Sequence, residues 1–412
     1  MSVDGWTTER MENLVEVLDH LRVPVNSDAR AKRLGDVPYY GANGQQGWID
    51  SPLFDEPLVL LAEDGGNFDA FATRPIAYRI DGPAWVNNHA HIIRALGRVN
   101  QDFVFWSVVH KDIRRYIAGG TRSKLTQKEL RSIEIDTPPL PEQCRIAEIL
   151  DTLDEAIRKT EQVIAKLQQV KQGLLHDLLT RGIDGHGELR DPERHPEQFK
   201  DSPLGRIPRG WGLSQLNDVV DLRRPVVYGI LMPGKGVTNG VPVVKVKNIK
   251  NGVVEEDDLL LTSRAIDQEY RRSRLRAGDL LFTIRGTVGR MAFVPESLNG
   301  ANITQDTARL AIKGAEPGFV RQYLAMPGPQ GFIETNTIGQ AVKGINLREL
   351  RRVPLAVPRL HEQRELGERL ALADERVSLE GQQIEKLRTL KQGLMDDLLT
   401  GRVRVSVPED AA

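Results

Sequence analysis

One segment of the chain recurs at a fixed distance, and this limits the available folds more than any other feature. LPEQCRIAEILDTLDEAIRKTEQVIAKLQQVKQGLLHDLLTRG, Leu140 to Gly182, aligns without a gap on LHEQRELGERLALADERVSLEGQQIEKLRTLKQGLMDDLLTGR, Leu360 to Arg402. The offset is 220 residues throughout, 19 of 43 positions are identical, and both copies end in KQGL and DLLT. An ungapped match of that length marks a duplication. Each copy reads as one long helix, with a proline-bounded start, acidic residues in the first turn where they suit the dipole, and Gly182 or Gly401 at the end.

The apolar positions step by four and three, as in a heptad. In copy one they are Ile146, Leu150, Leu153, Ile157, Ile164, Leu167, Leu174 and Leu178. In copy two they are Leu366, Leu370, Ala373, Val377, Ile384, Leu387, Leu394 and Leu398. The same two slots interrupt both stripes, Thr160 and Lys171 against Glu380 and Lys391, as expected of helices that pair and need a fixed register. About 39 residues at ~1.5 Å each make a rod of ~58 Å. Two such rods, each following a globular segment, fit an antiparallel pair with pseudo-two-fold symmetry that holds the globular parts apart.

The expected fold class is α+β: two globular domains of mixed α/β structure alternating with two long helices that pair as an antiparallel coiled coil, a pseudo-two-fold symmetric tandem repeat. The expected boundaries are 1–141 and 211–358 for the globular domains, 142–182 and 359–402 for the helices, 183–210 for a linker and 403–412 for a tail. Short apolar runs punctuated by Gly and Pro read as strands: LVLLAED, PIAYRI and DFVFWSVV in the first half, VPVVKVKNI, DLLFTIRG and ARLAIK in the second. The offset persists upstream of the helix, where Glu129-Leu130-Arg131 falls on Glu349-Leu350-Arg351 and Gly119 on Gly339. Arg181–Trp211, rich in Pro, Gly and charge and without apolar periodicity, reads as an ordered-to-extended linker.

Composition excludes several classes. No run approaches the ~18 apolar residues of a membrane span, and the start lacks a basic n-region, so a soluble, cytoplasmic protein is expected. The single thiol, Cys144, excludes a disulfide framework and a Cys-pair zinc module. The net charge of -1 hides an asymmetry: residues 1–141 carry 16 basic and 19 acidic side chains, residues 210–352 carry 20 and 14. The second half therefore permits nucleic-acid contact.

The catalytic constellations fail one by one. GILMPGKG, Gly229–Gly236, has P-loop spacing, but Gly236 stands where a hydroxyl must hold magnesium. IDTPPL lacks the aromatic residue of an amino-methyltransferase motif, and no glycine-rich cofactor loop follows a strand. His89 and His91 share a strand face without a third ligand, which favours hydrogen-bonding roles over a metal. What remains is base-reading chemistry. Pro38–Asp50 crowds Tyr39, Tyr40, Asn43, Gln45, Gln46 and Trp48 among glycines, offering amides for adenine and aromatic faces. Lys245 and Lys247, on one face of an expected strand, with Asn248 and Lys250 alongside, suit phosphates. Arg285 and Arg290 lie among glycines that let a backbone come close.

The order of these segments, with the linker DPERHPEQFKDSPLGRIPRGW between the repeats, closely resembles the specificity subunit (HsdS) of type I restriction-modification systems. LRVPVNSDAR, PYYGANGQQGWID, LLAEDGGNFD and WVNNHAHII look like one version of that family's target recognition domain, and PVVYGILMPG, VPVVKVKNIKNG, YRRSRLRAGDLLFTIRGTVGR and ANITQDTARL like another. The resemblance implies a non-catalytic chain whose two domains each read half of a split target in double-stranded DNA. It implies two copies of an adenine methyltransferase subunit (HsdM) docked on the helical regions and a restriction/translocase subunit (HsdR). S-adenosylmethionine, ATP and magnesium then belong to those partners, with no catalytic or metal site here. The expected DNA contacts are Tyr39, Tyr40, Asn43, Gln45, Gln46, Asn67, Asn87, Asn88, His89 and Lys124 in the first half. In the second they are Tyr228, Lys245, Lys247, Asn248, Lys250, Arg285, Thr287, Arg290, Gln340 and Lys343. The alternative is a coiled-coil scaffold that binds protein alone, which predicts no salt-dependent DNA binding.

Overall fold

A computed structural model describes residues 5–118, 123–340 and 342–406, so Gly119 and Ala341 lie outside the described residues. The chain divides into two compact units, Met1–Gln162 with Gly381–Ala412, and Val163–Glu380. Each contains a globular part and a segment of both long helices, which run Leu140–Arg181 and Leu360–Leu398.

In the first unit the four-stranded sheet has the order Val15–Val17, Ala90–Ala95, Leu58–Ala62, Ala77–Ile80, antiparallel throughout. Leu58–Ala62 is buried along its whole length because both faces are covered. Val59 and Leu61 point into a core with Phe103 and Trp106 of the helix Gln101–Val108, while Leu58 and Leu60 point into another with Phe54 and Val86. A second sheet pairs Val37–Gly41 parallel to Pro83–Val86.

The second unit repeats this plan. Its four-stranded sheet runs Val227–Tyr228, Thr307–Leu310, Leu280–Thr283, Met291–Phe293. The central strand again alternates between cores: Leu280 and Phe282 pack with Phe319 and Leu324 of the helix Pro317–Leu324, and Leu281 with Ala292 and Ile303. Val241–Val244 pairs parallel to Asn302–Ile303.

Three expectations change. DFVFWSVV is largely the helix Gln101–Val108: Asn100 caps it, its side chain accepting from Phe103 N at 2.8 Å, and burial of five of its residues outweighs their strand preference. The expected strand through Lys247 stops at Val244, and Val246–Asn248 is a 3-10 turn, so Lys245 and Lys247 do not share a strand face. Residues 183–210 are ordered but folded back instead of extended. Phe199–Ser202 and Gly205–Pro208 form a hairpin, and Ile183, Ile207 and Trp211 enter the core of the second unit.

The helix repeat explains itself in packing. Within the first unit Asp154 pairs with Lys391, and Glu161 with Arg388 at 2.8 Å, so numbers rise along one helix as they fall along the other: the segments are antiparallel. Within the second unit Lys171 pairs with Asp374. The two lysine pairs are the same pair shifted by 220 residues, with the donors exchanged between copies. The lysines that interrupt the apolar stripe are thus register contacts. Of the stripe itself, Ile146, Leu150, Ile157, Leu178, Leu366, Leu370, Ile384 and Leu398 are buried. Leu153, Ile164, Leu167, Leu174, Ala373, Val377, Leu387 and Leu394 are half-buried.

The helix starts are anchored alike. Glu142 accepts from Trp6 Nε1 at 3.2 Å and from Arg404 at 2.7 and 2.8 Å; Glu362 accepts from Trp211 Nε1 at 3.2 Å and from Arg190 at 2.6 Å. Gln143 and Gln363 each accept a backbone N–H at the start of the packed helix, from Asn100 at 2.9 Å and Glu316 at 2.7 Å. Gly182 ends the first long helix at φ 61, and a Cβ there would collide with Glu362, Arg190 and Trp211, so the turn requires glycine. No helix among the described residues is long and apolar enough to cross a membrane.

Candidate nucleic-acid interface

In the first unit the hairpin of Val37–Gly41 and Gly44–Ile49 carries the amides at and beyond its turn. Asn43, exposed at the tip, donates through Nδ2 to the Gly65 carbonyl at 2.8 Å. Asn67 reaches Asn43 Oδ1 at 3.4 Å and the Pro75 carbonyl at 3.1 Å. Gln46 accepts from Asn87 Nδ2 at 3.3 Å, Asn87 accepts from His89 N at 2.8 Å, and His89 Nδ1 lies 2.7 Å from Asp64. The chain of contacts therefore joins Gln46, Asn87, His89 and Asp64 into one polar run beside the Asn43–Asn67 pair. Gln45 and Asn88 are exposed near it. Asn87 is buried and positions its neighbours instead of facing solvent.

Two aromatic candidates are structural. Tyr39 is buried with Val37, Ile49 and Trp85, its hydroxyl donates to the Val25 carbonyl at 3.1 Å, and Arg30 lies over its ring, which removes it from the contacting set. Tyr40 is half-buried against Tyr78. Trp48 is the exposed aromatic of this hairpin.

Behind the amides lies a charge cluster that sequence reading treated only through its histidines and Lys124. Glu63 receives Arg22 at 2.6 Å and Lys124 at 2.9 Å. His91, fully buried, places Nδ1 2.6 Å from Asp19 and Nε2 2.9 Å from the Leu125 carbonyl. Asp19, Glu63 and His91 lie close enough to suggest a metal site. Both ring nitrogens of His91 are already engaged, however, and two cations already serve Glu63, so the cluster is complete as a structural network. Burial alone would raise the Asp19 carboxyl, but the His91 contact, the Ile92 N–H and Arg22 outweigh it and hold it below the usual value. Glu63 is lowered likewise, its burial outweighed by Arg22 and Lys124.

In the second unit the basic candidates separate into two groups. Lys247 pairs with Asp258 and Lys250 with Glu255 at 2.6 Å, both exposed, beside Arg290, which donates to the Ile249 carbonyl at 3.2 Å. Lys245 is half-buried. Asn248 is buried, accepting from Lys245 N at 3.0 Å and donating to the Asp258 carbonyl at 3.3 Å, and so shapes the 3-10 turn instead of presenting an amide. The other group surrounds a cavity of about 560 Å³ lined by Tyr228, Leu231, Arg285, Gln305, Ile338 and Val342, among others. Gly286 turns at φ 78 and donates to the Lys343 carbonyl at 2.9 Å, which ties the arginine loop to the hairpin of Thr337–Ile338 and Gly344–Ile345. Thr287, Gln340 and Lys343 are exposed around it. Leu231, Gln305 and Ile338 were missed by sequence reading; only their assembly from distant segments gives them meaning.

Comparison with known proteins follows the same lines. The model of the type I restriction modification DNA specificity domain matches residues 4–169. The EcoBI specificity subunit of Escherichia coli is 28% identical over 290 residues, 69% of this chain and 61% of that one. The putative MjaX specificity subunit of Methanocaldococcus jannaschii is 28% identical over 311 residues, 72% and 65%. This chain thus aligns with less than two thirds of the length of those two relatives. A putative type I restriction enzyme specificity subunit of Haemophilus influenzae is 26% identical over 363 residues, 86% and 83%. In fold, the chain resembles the crystal structure of a type I restriction-modification S subunit from M. genitalium, with TM-score 0.62 at 13% identity over 96% of both chains.

Proposed function

We propose that the chain is a specificity subunit of a type I restriction-modification system and selects the DNA on which such a complex acts, without catalysing a reaction itself. Each globular unit reads one half of a bipartite target, and the paired helices set the interval between the halves. One observation carries this reading: the two units keep the same anchors and register pairs while their loop surfaces differ, as suits one scaffold reading two sequences. Base edges are read by the exposed amides around Asn43 and by the arginine loop, and phosphates by Lys247, Lys250 and Lys343.

Two equivalent helix copies offer two equivalent docking regions, which supports two methyltransferase subunits as partners. Exposed Val170 and Leu390, related by the 220-residue offset, are apolar positions for such contacts. A restriction/translocase subunit completes the assembly. S-adenosylmethionine, ATP and magnesium belong to these partners, since this sequence has no cofactor loop or magnesium-holding P-loop. The assembly acts on DNA in the cytoplasm.

The test is a genome-wide map of N6-methyladenine in a host carrying this gene with its neighbouring methyltransferase gene, against the same host lacking this gene. A split motif that vanishes on deletion is expected. Unchanged methylation beside an active methyltransferase would instead assign a scaffolding role.

A further inference from the structure

The cavity of the second unit gathers apolar side chains that face water: Tyr228, Leu231, Ile338 and Val342 are 47%, 52%, 70% and 58% exposed. A cluster of that kind marks a place where something binds. Arg285 lines the same cavity with its side chain 59% exposed, and its carboxylate neighbour Asp306 stands 3.9 Å away, beyond hydrogen-bond reach. Lys247 and Lys250, in contrast, are each matched to an acid. A guanidinium fork with donors to spare, set against methyl-rich walls, is suited to guanine O6 and N7 and to the neighbouring thymine 5-methyl group in a major groove.

The chain itself argues for DNA over protein as occupant. Arg285 and Asp64 hold corresponding places: each follows the central strand of its four-stranded sheet, and each forms an antiparallel bridge to a hairpin, Arg285 to Gly344 and Asp64 to Lys124. Positions 344 and 124 are related by the 220-residue offset. A protein partner present in two like copies would meet like chemistry at these places, as the helix anchors do. One place instead carries an acid, an imidazole and amides, and the other a cation and apolar walls.

We infer that this cavity is the specificity determinant of the second unit and that it selects a guanine next to a thymine, Arg285 reading the guanine while Leu231, Ile338 and Val342 receive the thymine methyl. This rests on the proposed role in DNA recognition and adds the base chemistry to it. The test uses the chain assembled with its methyltransferase subunits and duplexes bearing the mapped target. Each thymidine is replaced in turn by deoxyuridine, which lacks only the methyl, and each guanine by 7-deazaguanine.

One deoxyuridine, confined to one half-site, weakens binding about fourfold, the worth of a buried methyl. An adjacent 7-deazaguanine weakens it about tenfold. The Val342→Ala and Ile338→Ala complexes bind the thymidine and deoxyuridine duplexes alike, and Arg285→Ala becomes indifferent to 7-deazaguanine in that same half-site. These side chains are exposed, so the variants fold. If the half-site relaxed by Arg285→Ala contains no adjacent guanine and thymine, or if deoxyuridine is neutral at every position, the inference falls while DNA recognition stands. If the wild-type complex does not prefer its mapped target to a scrambled duplex, the recognition reading itself falls.

Discussion

At corresponding places on one scaffold, the first unit holds its charges in hydrogen-bonded pairs and the second leaves one cation with an acid only at 3.9 Å. Past the strand Leu58–Ala62, Glu63 takes Arg22 and Lys124 while Asp64 contacts His89. Past the strand Leu280–Thr283, Ile284 is buried and Arg285 projects beside an apolar cavity. The helix anchors keep the same groups in the same roles, a carboxylate between an indole N–H and an arginine. The contrast teaches where the duplicated chain was free to change. An anchor is constrained by packed neighbours, and a partner lost there leaves its hydrogen-bonding groups unmatched. A reading loop is constrained on one side by the sheet and on the other only by what it binds.

The largest effect should come from the anchors. Glu142→Ala leaves Trp6 and Arg404 unmatched, and Glu362→Ala leaves Trp211 and Arg190 so, each costing about 2 kcal/mol for the lost charge-assisted hydrogen bonds. Hydrogen exchange on the full chain should show protection lost in the unit that carries the substitution and kept in the other. Losses differing by more than about 1 kcal/mol, a clear margin beside typical errors, would break the equivalence of the two anchors.

Acid should separate the units next. Asp19 and Glu63 titrate below their ordinary values in the folded chain. The stability they contribute is therefore complete above the unfolded carboxylate range of about pH 4 and drains as pH falls through the lowered values. The second unit has Arg285 at the place corresponding to Asp64 and, among its described residues, no close group of two carboxylates and a histidine. Exchange protection at Lys124–Leu125 should accordingly fall between about pH 5 and pH 3 before that at Gly344–Ile345, and Asp19→Asn should flatten the acid response. Simultaneous loss at both hairpins would show that the cluster does not govern its unit.

How far these differences were legible depends on whether their cause is local. The long helices and their shared polar slots were open to sequence reading because a heptad repeats within seven residues, and Leu58–Ala62 and Leu280–Thr283 because a strand buried on both faces is a continuous apolar run. The helix Gln101–Val108 was not, since its residues favour strands and a single cap with its packing partners decides otherwise. Tyr39 and Asn248 resemble exposed readers in sequence, and only the tertiary fold buries them. The cavity was least legible: its walls come from positions 228–231, 284–285 and 338–347, and no pattern within any one of these segments predicts the others. Residues 183–210 looked like a linker because their apolar residues are too sparse to show a period, although Ile183, Phe199 and Ile207 are buried.

The register pairs should give the smallest effect and the sharpest comparison. Lys171–Asp374 and Asp154–Lys391 are equivalent by sequence, and all four side chains are partly exposed, so solvent screening limits each pair to about 0.5–1 kcal/mol. A double-mutant cycle on each should return coupling of that size, and exchanging the charges within a pair, as in Lys171→Asp with Asp374→Lys, should recover most of it. The pairs differ in one contact: Lys391 also lies 4.7 Å from the ring centre of Trp106. A cation over an indole adds about 0.5–1 kcal/mol at a partly exposed site. Lys391→Ala should therefore cost more than Lys171→Ala, although both lose an aspartate partner. Equal costs would mean that the ion pair alone sets the register and that the indole contributes only packing; a larger cost at Lys171 would contradict the assignment of these two lysines as equivalents.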